Sequence, residues 1–234
     1  MQVSEKAASS PDFASQRQTM VDCQVRTFDV TDLDVIGRFE TVPREEFVPG
    51  PMRSLAYSDA PLDVRSDDGH VRQLLPPLVL ARMIQGADVT PSDRVLDVAG
   101  ACGYTAALLA GLSREVVALE SSADFASRAG RSFEALGLTN ARAVVGKLDG
   151  SSLEGPFDVI LVNGGIEAGY ESLIARLSPR GRLIAIHMDG QVGGERAAKA
   201  ARFDKVGTEA SRRALFDTAG TVLSDFRRPA AFVF

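Results

Sequence analysis

The chain has 234 residues, 45% hydrophobic and 24% charged, the balance of a globular protein with a real core. Its 31 acidic residues outnumber 26 basic ones for a net charge of −5, which argues against a broad basic surface for nucleic acid. Two cysteines, two histidines and no long uninterrupted apolar run leave no disulfide framework, no zinc cluster at ordinary spacing and no membrane-spanning helix.

Residues 1–15 are small and polar without a period, which predicts a disordered tail. They lack the apolar stretch of a signal peptide, so the expected location is cytoplasmic. Residues 16–88 read as a helical segment. Met20 to Thr27 is rich in turns, and Thr31 is the expected N-cap of a helix carrying Leu33, Val35, Ile36 and Phe39. Pro43, Pro49 and Pro51 punctuate the stretch after this helix, and Asp67-Asp68-Gly69 marks a loop tip. Pro76-Pro77 opens a helix, since proline is tolerated where the first N–H groups are unpaired anyway.

Residues 89–190 alternate between strand and helix. Strands are expected at 94–98, 115–120, 141–145, 157–162 and 182–188, with helices at 104–112 and 171–177. A further helix carries Phe125, Ala129, Phe133 and Leu136 and stops at Gly137. This rhythm predicts an α/β fold, a mainly parallel sheet with helices on both faces. Within 191–234, strands at 200–206, 212–217 and 230–234 are expected to add antiparallel to the sheet. An apolar edge there suggests a homodimer.

Ligands of open α/β sheets bind beyond the carboxyl ends of the strands. The first strand–helix turn runs Asp97-Val98-Ala99-Gly100-Ala101-Cys102-Gly103-Tyr104, with small residues that let a ligand approach the backbone. The second strand ends on Glu120, whose carboxylate can accept from both ribose hydroxyls. The alternative is a tight turn that only packs a helix, with Glu120 a solvated acid. Gly100 and Gly103 do not give the G-x-G-x-x-G spacing of a dinucleotide site, and Asp97 would repel a pyrophosphate. S-adenosylmethionine carries no phosphate, and Asp97 can face its ammonium or a water.

Several segments resemble one family, the protein-L-isoaspartate O-methyltransferases. They are Val42-Pro43-Arg44-Glu45-Glu46-Phe47-Val48-Pro49, Ala56-Tyr57-Ser58-Asp59, VLDVAGACGYTAALLA at 95–110, PFDVILV at 156–162 and LSPRGRL at 177–183. The resemblance implies a Rossmann-like class I methyltransferase fold, S-adenosylmethionine as cofactor and a protein or peptide substrate, methylated on the carboxylate of a damaged residue. By position, Asp97, Ala99, Gly100, Gly103 and Tyr104 would line the cofactor's methionine end. Glu120 would hold the ribose, Lys147 and Leu148 would lie near the adenine, and Asn163 would close the end of strand four. The chain departs from the family pattern in three places. Ala99 and Ala101 replace loop glycines, Lys147 stands where an adenine-binding Asp is usual, and Leu75 takes the place of the substrate-loop serine.

Four residues are candidates to meet the acceptor. Arg72 and Gln73 either hold its carboxylate, using the arginine fork, or belong to a solvated loop. Tyr57 and Asp59 either face the acceptor or cap and pack. His187 reads as a packed or edge histidine, and Cys102 as a small loop residue. The competing reading is a non-catalytic relative that works through a partner surface, favoured by Leu75 and Lys147. No metal site, nucleic-acid partner or membrane partner is expected.

Overall fold

A computed structural model describes residues 12–192 and 195–229. Helix α1 (Phe13–Met20) starts where the Asp12 carboxylate accepts from the Ser15 N–H, and it runs into a π-helical turn at Val21–Val25. The N-cap of α2 (Leu33–Thr41) is Asp32, not the expected Thr31. Its carboxylate accepts from both the Asp34 and Val35 N–H groups, at 2.9 and 3.1 Å. A carboxylate satisfies two orphan donors at the positive end of the helix dipole, which a hydroxyl does less well. The Thr31 and Asp32 N–H groups donate instead to Gln85 Oε1, tying this turn to α3 (Pro77–Ala87).

Between α2 and α3 lies a hairpin that the sequence pattern does not announce. Strands β1 (Leu62–Arg65) and β2 (Val71–Leu74) pair antiparallel, with Val64 opposite Arg72 and Leu62 opposite Leu74. The expected loop tip at 67–69 is its turn, and Gly69 takes φ +89° there. Alternation decides which side chains point inward. Leu62, Val64, Arg72 and Leu74 are buried, so a charged residue occupies an inward position.

The main sheet is built from β3 (Arg94–Val98), β4 (Glu115–Glu120), β5 (Ala141–Val145), β6 (Phe157–Ile166), β7 (Leu177–Val192), β8 (Glu195–Val206) and β9 (Glu209–Thr218). Their order among the described residues is β5-β4-β3-β6-β7-β8-β9. The first five in this order pair in parallel, while β7–β8 and β8–β9 are antiparallel. This is the expected mainly parallel sheet with antiparallel C-terminal strands. The chain winds outward from β3 to β5 and then returns to lay β6 beside β3, so strand order reverses at the carboxyl ends of those two strands.

Alternation along the strands feeds two apolar layers. Val95, Val116, Val159 and Leu161 face α3, α4 (Tyr104–Ala110), α5 (Ala123–Ala135) and the N-terminal segment. Leu96, Val98, Ile160 and Val162 face the other side, with Leu148 and with Leu173 and Ile174 of α6 (Glu171–Ala175). Gly137, at φ +65°, follows the last turn of α5 as expected.

Several bounds differ from the expectation: α1 begins at Phe13, inside the expected tail, α4 ends at Ala110 and not 112, β8 begins at Glu195 and not 200, and β9 spans Glu209–Thr218 and not 212–217. β6 continues through Ile166 because an irregularity between Leu161 and Gly165 keeps 163–164 in the strand. α6 ends at Ala175 because Leu177 already pairs with Phe157. β7 is longer at both ends, its outer part held by β8. The strand expected at 230–234 lies outside the described residues. After β9 the chain crosses to the end of β6. There the Gly165 N–H donates to Thr221 O at 2.8 Å and the Leu223 N–H to Gly165 O at 3.0 Å. Arg182 of β7 anchors the end of α3, donating to Ala87 O and pairing with buried Asp93 at 2.7 Å.

Candidate active site

The turn after β3 keeps a strained backbone with little help from glycine. Ala99 and Ala101 adopt φ +59° and +54°, the left-handed region that L-residues enter at a cost of about 1–2 kcal/mol. Their methyl groups are buried in the two apolar layers, Ala99 on the Leu96 side and Ala101 on the Val95 side. The extra carbons therefore occupy core on either side of the sheet. Gly100, between them, covers the Asp97 carboxylate, and a Cβ there would collide with Asp97 Oδ2. Gly103 caps α4 at φ +92° with the Phe133 ring against it.

Asp97 is wholly buried. Its Oδ1 accepts from Asn163 Nδ2 at 2.6 Å, while Oδ2 has no partner. Asn163 is held on its other faces by Val98 O at 3.0 Å and the Thr105 hydroxyl at 2.6 Å. Burial pushes the Asp97 carboxyl up to about 7, against the Asn163 hydrogen bond and helped by the charge on Glu120.

Glu120, 2% exposed, is not the solvated acid of the alternative reading. Its Oε1 accepts from the Ala101 N–H at 2.7 Å, fastening strand end to turn. Its Oε2 meets Arg72, with Nε at 3.2 Å and Nη2 at 3.1 Å, and Nη2 also donates to Ser121 Oγ at 2.7 Å. Burial raises the Glu120 pKa, and Arg72 opposes that shift. Arg72 is thus no solvated loop residue: it is on β2, buried against a strand-terminal acid.

Gln73, on the opposite side of β2, donates to Asp63 Oδ1 at 3.0 Å and accepts from Thr221 Oγ1 at 3.4 Å. Both neighbours, with Leu75, Asn163, Ser224 and Arg227, line a cleft of about 250 Å³ between the hairpin, the outer part of β6 and the crossing after β9. Asp59 is exposed and lines an adjoining groove that shares Gln73 and Thr221. Tyr57 is buried in a network with the Glu45 carboxylate, to which it donates, and Arg17, which donates to its hydroxyl at 3.1 Å. Tyr104 is buried under the Arg44 guanidinium, 4.8 Å above its ring. Leu148 is in the core and Lys147 is exposed.

Cys102 is buried, and burial pushes its thiol up to about 11, against nucleophilic use. His187 packs edge-on to Tyr170 and Phe203 at the far side of the sheet. Among the described residues, no group of three or more His, Cys, Asp or Glu side chains is placed to hold a metal ion. No helix there is long and apolar enough to cross a membrane. Sequence reasoning missed Ser121, Thr105 and the cleft wall from 221–227. Thr105 could have been found as the second residue of the helix after the turn, whereas 221–227 carries no periodic signal.

A parallel sheet with its switch point at β3 and β6, a small-residue turn after β3 and a buried acid ending β4 define a Rossmann-like fold of the methyltransferase class. The family profile described as Protein-L-isoaspartate(D-aspartate) O-methyltransferase (PCMT) matches residues 15–214. A Koribacter versatilis protein-L-isoaspartate O-methyltransferase is 36% identical over 181 residues, 76% of this chain and 80% of that one. A solved protein-L-isoaspartate O-methyltransferase superposes with a TM-score of 0.75 at 25% identity, covering 89% of this chain and 66% of the other. A Plasmodium falciparum structure described under the same family name, in complex with S-adenosyl-L-homocysteine, gives a TM-score of 0.71 at 18% identity over 92% of this chain. The chain belongs to the protein-L-isoaspartate O-methyltransferase family, a family of S-adenosylmethionine-dependent enzymes.

Proposed function

We propose that this chain binds S-adenosylmethionine at the carboxyl ends of β3 and β4 and directs its methyl group to a carboxylate on a damaged protein or a related acceptor. The observation that carries the reading is Asp97 Oδ2, buried without a partner beneath a residue that has no Cβ. An unmet acceptor there fits an ammonium donor or a water held by one, and the family membership names the ligand. When bound, S-adenosylmethionine supplies a methyl group on a positively charged sulfur.

The chain's own part is binding and alignment. Asp97, Ala99, Gly100, Gly103 and Tyr104 form the floor at the methionine end, with Asn163 fixing the Asp97 carboxylate. Glu120 takes the ribose hydroxyls, and Lys147 and Leu148 bound the adenine. The acceptor enters the cleft beside Arg72 and Gln73, with Asp59 shaping its outer approach; Tyr57, buried against Glu45 and Arg17, packs behind it. A carboxylate acceptor is already ionised at neutral pH and needs no strong base. Alignment alone can supply roughly 7–11 kcal/mol, so a hydroxyl missing at Leu75 does not remove the means of catalysis. Residues 16–88 enclose this site, in a cytoplasmic protein that pairs along β9 as a homodimer.

Calorimetry with S-adenosylmethionine, run beside radiolabelled methyl transfer to an isoaspartyl peptide, tests the reading. Binding with transfer supports it in full, and binding without transfer keeps the cofactor site and moves the search to other acceptors. A monomeric mass by light scattering removes the dimer. A second reading, a non-catalytic relative working through a partner surface, is favoured by Glu120, whose two oxygens already have partners. The absence of any binding at millimolar cofactor would establish it.

A further inference from the structure

We infer that Arg72 is a two-position side chain that couples cofactor and acceptor binding. It holds Glu120 while the ribose position is empty, and turns into the adjoining cleft to anchor the acceptor carboxylate once ribose hydroxyls take Glu120. The inference rests on the reading of Glu120 as the ribose ligand.

The geometry supplies both positions. In the first, Arg72 closes on Glu120 Oε2 through Nε and Nη2, and the Ser121 hydroxyl steadies Nη2 from the other side. The two paired side chains are only 5% and 2% exposed. The second position is already open beside it, because Arg72 lines the cleft of about 250 Å³ that also holds Gln73, Asn163, Thr221 and Arg227. The backbone need not move, since Arg72 stays registered opposite Val64 in the hairpin.

Charge explains why the two positions alternate. A buried carboxylate requires a counterion or several donors. In this structure Arg72 is the counterion that Glu120 has at Oε2, with the Ala101 N–H serving Oε1. Ribose hydroxyls are neutral donors that can take Oε2 over, and they free a guanidinium that then lacks an anion. The cleft next to it is where a carboxylate acceptor arrives, and the arginine fork matches a carboxylate in a bidentate pair. The acceptor therefore binds well only after the cofactor, and by reciprocity it tightens the cofactor in turn. No second arginine is needed at Glu120, and the cleft, where Arg227 already stands in the lining, gains a second guanidinium when a methyl donor is present.

The test is calorimetry with S-adenosylhomocysteine on the full-length wild type, Arg72→Gln and Ser121→Ala, each with and without an isoaspartyl peptide. Circular dichroism confirms that each variant is folded. If Arg72 rests on Glu120 about nine-tenths of the time, Arg72→Gln binds the nucleoside roughly tenfold tighter, because the competing state is gone. That variant also loses the mutual tightening between nucleoside and peptide. Ser121→Ala leaves both charges in place and only loosens the first position, so its nucleoside affinity rises by a smaller factor, about two- to threefold. Wild-type binding with no gain in either variant overturns the inference and leaves the cofactor reading intact. If none of the three proteins binds at millimolar concentration, the cofactor reading falls and takes the inference with it.

Discussion

Replacing Asp97 by asparagine tests the burial of this carboxyl through the pH dependence of stability. The folded group titrates at about 7, against an ordinary value of 3.8, because burial penalises its charged form. The folded carboxyl thus holds its proton more tightly than the unfolded one. Stabilisation from that proton is fully present below about pH 4 and is lost as the pH rises through about 7. At about 1.4 kcal/mol per pH unit, the interval amounts to ~4 kcal/mol. Asparagine keeps an oxygen for the Asn163 amide but turns an NH2 toward the space at Oδ2, where nothing accepts it. The protonated carboxyl carries the same unmet donor at Oδ2, so that cost cancels at low pH. The variant is therefore within about 1 kcal/mol of wild type near pH 4, and more stable by up to ~4 kcal/mol near pH 8. Urea midpoints followed by circular dichroism across this range measure both arms. A wild-type-to-variant difference that stays the same at both ends would refute the buried titration.

The remaining predictions concern the turn, the sheet and the cleft. Ala99→Gly and Ala101→Gly each shift stability by less than about 1 kcal/mol, because relief of the left-handed strain is offset by the lost buried methyl and the freer unfolded chain; a larger midpoint shift in either direction would contradict this. Gly100→Ala drives a methyl into the Asp97 carboxylate and costs about 2 kcal/mol or more, together with S-adenosylhomocysteine binding, both read in one thermal-shift titration. Arg182→Ala leaves Asp93 buried without its partner and lowers stability by about 3–5 kcal/mol in urea unfolding; a loss under 1 kcal/mol would mean the pair is solvated. Leu75→Ser raises methyl transfer to an isoaspartyl peptide in a radiolabel assay, and an unchanged rate sinks the placement of Leu75 in the serine's position.

Much of the sheet was legible because its strands are short, apolar and separated by helices of clear period. Strands 94–98, 115–120 and 141–145 were read at their observed bounds. The hairpin at 62–74 was hidden because its alternation places Arg72 inward, where a pattern reader expects an apolar residue. The Asp32 cap was missed because Thr31, one position earlier, is also a capping residue type, and the turn geometry decides between them. At the site, Asp97 and Glu120 stood out as acids at strand ends. Asn163 and Arg72 were candidates too, but not as the partners of these acids, since they lie 66 and 48 residues away in sequence. No local spacing encodes contacts of that length.

Gln73 and Thr221 meet across one wall of the cleft although 148 residues separate them. One belongs to the hairpin that precedes β3, the other to the crossing after β9. The two walls thus come from segments flanking the entire sheet in sequence. Contacts of such separation form late, because a long loop must close before they reward it. A copy that has organised β3 to β7 already owns its turn, Asp97 and Glu120, but lacks the cleft wall from 221–227. Peeling of β8 and β9 from the sheet has the same effect without disturbing the inner strands. The cleft is therefore finished only when the segments on either side of the sheet in sequence are both in place.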